Sequence, residues 1–98
     1  MNRIFYEFKT AEERYETLIF LSKLNIKWSG DIPIFSRDIS SVKILFFYIN
    51  EGYCTKAEER DVEVFYNHIC NYVEYKESDL PTLKLKATLT AKRLGFIK

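Results

Sequence analysis

With 98 residues, 47% of them hydrophobic and 30% charged, the chain predicts one folded domain over 1–98 with a modest core and excludes a disordered polymer. Its net charge of +1 sums two unequal parts: eight acids against three bases over Glu51–Asp79, then a basic C-terminal segment at 82–98 with five cations and no acid. Two cysteines are too few for a disulfide framework, the start MNRIFYEFK lacks the apolar run of a signal peptide, and no window approaches a membrane span, so a cytoplasmic protein is expected.

Arg3–Phe8, aromatic and β-branched, predicts a first strand. Thr10 and Glu13 have the spacing of a capping box, which opens a helix ending near Asn25. Ala11, Tyr15, Leu18, Ile19 and Ser22 fall on one side of it, and Leu21 and Leu24 widen that stripe. Ile26–Trp28 reads as a short extended piece closed by Ser29-Gly30-Asp31, with Trp28 in the core. Pro33 confines its own stretch of chain to an edge or a loop.

Val42–Ile49 is the most apolar segment, and its eight residues suit a central strand. Asn50-Glu51-Gly52 turns the chain, and Tyr53-Cys54 pairs back briefly. Thr55 and Glu58 repeat the capping box, with Val62, Phe65, Tyr66, Ile69 and Val73 at helical steps, which predicts a second amphipathic helix over Thr55–Val73. Pro81 bars a simple helical passage through Asp79 and Leu80.

The basic end reads two ways. Leu83, Leu85, Ala87 and Leu89 alternate with polar residues as in a half-buried strand. Leu83, Ala87, Thr90, Ala91 and Leu94 also share a helical face, with Gly95 as C-cap. Helix is favoured over Ala91–Leu94, and residues 82–91 stay open. The expected class is α+β: a short, mainly antiparallel sheet packed against two amphipathic helices.

Chemistry finds little support in the residue types. His68 is the one histidine. Pairing it with Cys54 or Cys70 as nucleophile and base is the sole catalytic arrangement on offer, and surface or boundary placement of a helical histidine is the plainer reading. His68 and Cys70 point about 160–200° apart on an ideal helix, a poor pair for one metal. Glu12, Glu13 and Glu16, like Glu58, Glu59 and Asp61, sit where helix dipoles favour negative charge. There is no phosphate-binding glycine loop and no dinucleotide fingerprint. The expectation is a non-enzyme with no cofactor and no metal.

Two binding classes remain. A protein partner would meet an acidic face built from Glu58, Glu59, Asp61, Glu63, Glu74, Glu77 and Asp79, with Tyr66 and Tyr75 as aromatic contacts. Such a face also suits a partner whose own ligand is nucleic acid. The alternative is direct nucleic-acid binding through Lys84, Lys86, Lys92, Arg93 and Lys98, with affinity that falls steeply with salt. The basic end has a third use, pairing with the acidic segment of its own fold or of a second subunit in a homodimer.

A helix leading into Asn25-Ile26-Lys27-Trp28-Ser29-Gly30, then an apolar strand and a closing Tyr72-Val73-Glu74-Tyr75 ahead of Asp79, resembles small phage-encoded accessory proteins of Gram-positive hosts over roughly residues 11–80. The chain departs from them in its long Thr55–Val73 helix and its basic end. The resemblance implies a stoichiometric inhibitor or modulator of a host enzyme or defence complex, anti-CRISPR proteins included, acting in the host cytoplasm and imitating nucleic acid with its acidic face.

Overall fold

The computed structural model describes residues 2–69 and 75–98, with the backbone alone at residues 68 and 69. Its elements in chain order are β1 (Arg3–Glu7), α1 (Ala11–Lys23), β2 (Lys27–Trp28), β3 (Val42–Tyr48), β4 (Tyr53–Glu58), the one-turn α2 (Val62–Val64), β5 (Lys76–Glu77) and α3 (Leu80–Arg93). The strands form one sheet in the order β2-β4-β3-β1-β5. Its long pairings are antiparallel, β1 with β3 and β3 with β4, while the two-residue edge pairings β1–β5 and β2–β4 are parallel. The result is an α+β domain with a mixed sheet. Among the described residues, no helix is long and apolar enough to cross a membrane.

β3 is the middle strand because both of its faces are apolar. Leu45 and Phe47 point to a core shared with Ile4, Phe8, Leu18, Leu21 and Leu83 under α1 and α3. Ile44 and Phe46 point the other way, to a smaller aromatic core with Phe5, Ala57 and Phe65. From Ile44 to Phe47 the two cores take alternate residues, as strand geometry requires, and the ladder irregularity between Val42 and Ile44 puts Val42 in the first core.

Helix α1 begins as its capping residues dictate. The Thr10 hydroxyl accepts from the Glu13 amide at 3.0 Å. The Glu13 carboxylate reaches back to the Lys9 amide at 2.9 Å and also accepts from the Tyr6 hydroxyl at 2.8 Å. Burial and that carboxylate push the Tyr6 phenol up to about 12. The buried stripe is Thr17, Leu18 and Leu21, continued by Leu24, so Ala11 and Tyr15, expected on the inner side, are exposed. Trp28 is buried, and its indole N–H donates to the Ile34 carbonyl at 3.0 Å.

The predicted helix over Thr55–Val73 is a different structure. Its first residues form β4, antiparallel to β3, with Phe46 opposite Thr55 and Phe47 opposite Cys54. A helical turn comes next at 59–61, then α2, then a π-helical turn at Phe65–Ile69. Gly52, at φ +79°, turns the chain back along β3, and covering that apolar edge outweighs the local capping signal. Residues 70–74, and with them most of the expected late strand Tyr72–Tyr75, lie outside the described residues. The short strand in this region is β5.

The second long helix is therefore the C-terminal one. Leu83, Ala87, Thr90 and Ala91 are buried beneath α3, which decides the ambiguous 82–91 stretch as helix. Asp79 caps its start, accepting from the Thr82 amide at 2.7 Å, and Pro81 occupies the first turn, where no intrahelical donor is needed. At its end the Phe96 amide donates to the Ala91 carbonyl and the Gly95 amide to the Lys92 carbonyl, with Gly95 at φ +78°. Asn25 ends α1 in the same manner at φ 60°.

Candidate protein-interaction surfaces

The acidic residues separate into those that hold the fold together and those that face solvent without a structural task. Glu58 ends β4 and is ion-paired to Lys56 at 3.0 Å and to Arg60 at 3.3 Å. The hydrogen bond from Lys56, with the charges of Lys56 and Arg60, holds its carboxyl below the usual range. Asp79 is the α3 cap, and the Thr82 hydrogen bonds lower its carboxyl in the same direction. Glu77 is exposed on edge strand β5, which lies beyond β1 and so far from β4. Glu74 lies outside the described residues.

What remains is local. Glu59, Asp61 and Glu63 are exposed on the short helical segment that leaves β4. Beside them Val64 is 54% exposed and Tyr66 is 36% exposed. Phe65 anchors the segment, its ring 4.9 Å from those of Phe5 and Phe46. The Tyr66 hydroxyl donates to Glu7 at 2.6 Å, tying the segment to the end of β1. Tyr75 is half-buried, its ring 5.1 Å from Phe46 and its hydroxyl 2.6 Å from that of Tyr48, so it fills the aromatic core. Glu59, Asp61, Glu63 and Tyr66 thus lie exposed along one short segment with the cation Arg60 among them, while Glu58 at its start is tied to Lys56 and Arg60, and Glu77, Asp79 and Tyr75 lie outside it.

The basic residues share one helix and its tail. The Lys84 ammonium lies 5.5 Å from the Phe20 ring of α1. Arg93 donates to the Ile49 carbonyl at 2.8 Å, which fastens α3 to the β3–β4 hairpin. Lys86 borders a cleft of about 350 Å³ with Lys76, Glu77, Asp79 and Thr82. Lys92 and Lys98 are exposed. Among the described residues, the ion pairs lie at Glu7–Lys43 and around Glu58, and none joins α3 to the acids of 58–79. Among the described residues, α3 is not held by ion pairs to that segment. Its apolar inner face holds it.

Sequence reasoning missed Leu85 and Leu89. They are 60% and 56% exposed and sit in the middle of the outward ridge of α3, between the lysines. The strand reading turns them inward. On the helical projection they lie opposite Leu83, Ala87 and Ala91, which was the available signal. Tyr15 of α1 and Phe35 of the loop after β2 form another exposed pair, edge to face at 5.9 Å. Cys54, the described member of the candidate cysteine–histidine pairs, is sealed in the main core, and burial pushes its thiol strongly up, away from thiolate. The His68 side chain and Cys70 lie outside the described residues.

No family model, curated protein or solved structure matches the chain.

Proposed function

We propose that the chain is a non-catalytic modulator that acts by binding another protein through the Glu59–Tyr66 segment. The observation that carries this reading is the exposure of Val64 and Tyr66 among Glu59, Asp61 and Glu63, on a segment anchored by Phe65. Apolar and aromatic side chains supply the contact, and the acids select a basic partner and speed its approach. The resemblance to small phage-encoded proteins narrows the partner to a host or defence nucleoprotein complex, whose basic groove the patch would occupy in place of nucleic acid.

The test is capture from a Gram-positive lysate by the wild-type chain and by the triple variant Glu59→Lys, Asp61→Lys, Glu63→Lys, with folding of both confirmed by circular dichroism. A protein retained by the wild type, lost with the variant and displaced by added nucleic acid supports the reading. Equal retention by both chains contradicts it.

A second reading, nucleic-acid binding by α3, draws on the four cations of a helix with no acid after its cap. The two exposed leucines at the centre of that face weigh against it, because a phosphate-binding surface has no use for them. Titration of labelled duplex at two salt concentrations separates the readings. Binding that weakens steeply with salt favours α3.

A further inference from the structure

Among the described residues, the sheet ends at β5. Phe5 bonds the residues on either side of Glu77, its carbonyl accepting from the Ser78 amide at 2.9 Å. The N–H and C=O of Glu77 therefore point away from β1, into an open edge. Side chains alternate along that edge. Ile4 belongs to the core under the helices and Phe5 to the aromatic core. Lys76, paired with Ile4, thus stands on the helix side, and Glu77, paired with Phe5, on the other.

Helix α3 overhangs the same edge. Lys84 meets Phe20 of α1, while Thr82 and Lys86, about 160° round the helix from it, lie on the flank away from α1. Between that flank and β5 is the cleft of about 350 Å³, lined by Ile4, Lys76, Thr82 and Lys86. Both lysines are exposed, and among the described residues neither has an ion pair. The Asp79 carboxylate at the cleft is engaged by the Thr82 amide. Open backbone groups and two cations without ion pairs share one edge.

We propose that β5 takes an extended segment of another protein as a sixth strand, one that alternates acid, base, acid. The open groups of Glu77 bond the backbone of that segment. Its residue opposite Glu77 has its side chain beside the Glu77 carboxylate, where a base is favoured. The residues on either side turn into the cleft, where acids meet Lys76 and Lys86. A second copy pairing antiparallel through the same groups would set Glu77 against Glu77, a repulsive pair. This inference uses no residue of the Glu59–Tyr66 segment and stands apart from that reading.

The probe is a fluorescein-labelled peptide Thr-Val-Glu-Lys-Glu-Val-Thr, titrated with the full chain to about 1 mM and read by anisotropy. It should bind saturably and slow hydrogen exchange at the Glu77 amide, followed by NMR. Lys76→Glu with Lys86→Glu, at two exposed positions and with unchanged circular dichroism, should weaken binding by about tenfold or more. The charge-swapped probe Thr-Val-Lys-Glu-Lys-Val-Thr should bind that variant more tightly than it binds the wild type. N-methylation of the three central residues of the first probe should abolish its binding. No binding at 1 mM, equal affinity for the two probes, or indifference to N-methylation overturns the proposal. So does a wild type that is dimeric by light scattering and protected at the Glu77 amide without peptide, since the edge then belongs to a second copy.

Discussion

Replacing Phe65 by alanine probes how the second face of the sheet is closed. The Phe65 ring is buried, 4.9 Å from both Phe5 and Phe46 and 6.2 Å from Tyr75. Truncation removes a whole aromatic side chain from a space walled by paired strands, which have little freedom to collapse inward. A buried Phe→Ala change of this kind costs about 3–5 kcal/mol. Against a total of about 5–15 kcal/mol for a domain of this size, that is a large fraction. At roughly 4–8 °C per kcal/mol, the melting temperature should fall by about 12 °C or more. Urea unfolding followed by circular dichroism measures the loss, with the exposed neighbour Val64→Ala as control at about 0.5 kcal/mol or less. A Phe65→Ala loss below about 1 kcal/mol would show that the segment after β4 does not close the aromatic core.

Gly52→Ala should be strongly destabilising, since φ is +79° there and a Cβ would approach Leu94 Cδ1 to 2.5 Å, whereas Gly95→Ala meets open space and carries the positive φ alone; thermal melts of the two should rank in that order. The Asp79 carboxyl is held below its ordinary value in the folded chain, so its stabilisation is present above the unfolded carboxylate range and is lost as pH falls through the lower folded value. Asp79→Asn should remove that dependence, read as the stability difference from wild type between about pH 2 and about pH 6. Cys54 should resist a thiol reagent in the folded protein and react on unfolding in urea, whereas fast reaction at residue 54 of the folded chain would contradict its burial.

The parts of the fold that were legible in the sequence are those where local chemistry and tertiary need agree. Thr10 and Glu13 open α1, Asn25 lies just beyond its end, and VKILFFY has the length and unbroken apolarity of a strand covered on both faces. The misreading at Thr55 has a definite cause. Thr55 and Glu58 carry a genuine capping spacing, but Gly52 returns the chain along β3 before a helix can start, and Tyr53–Glu58 pairs along that strand. Leu83–Leu89 suits both periods, and only the position of α3 over Leu18 and Phe47 determines which leucines are covered. The charged surface was visible as composition and not as geometry. Glu58 and Asp79 look like Glu59 and Glu63 in a sequence, yet the first two are held by Lys56 and Thr82, and the other two face solvent.

The central claim is that the Glu59–Tyr66 patch contacts a protein, and a photo-cross-linking residue placed at position 64 tests it most directly. The account predicts, in Gram-positive cells, an adduct of one discrete mass from position 64. It should be absent when Glu59, Asp61 and Glu63 are reversed to lysine, and absent from the exposed turn position Asn50 at the opposite end of β3. Labelling at position 64 no stronger than at Asn50 would contradict it.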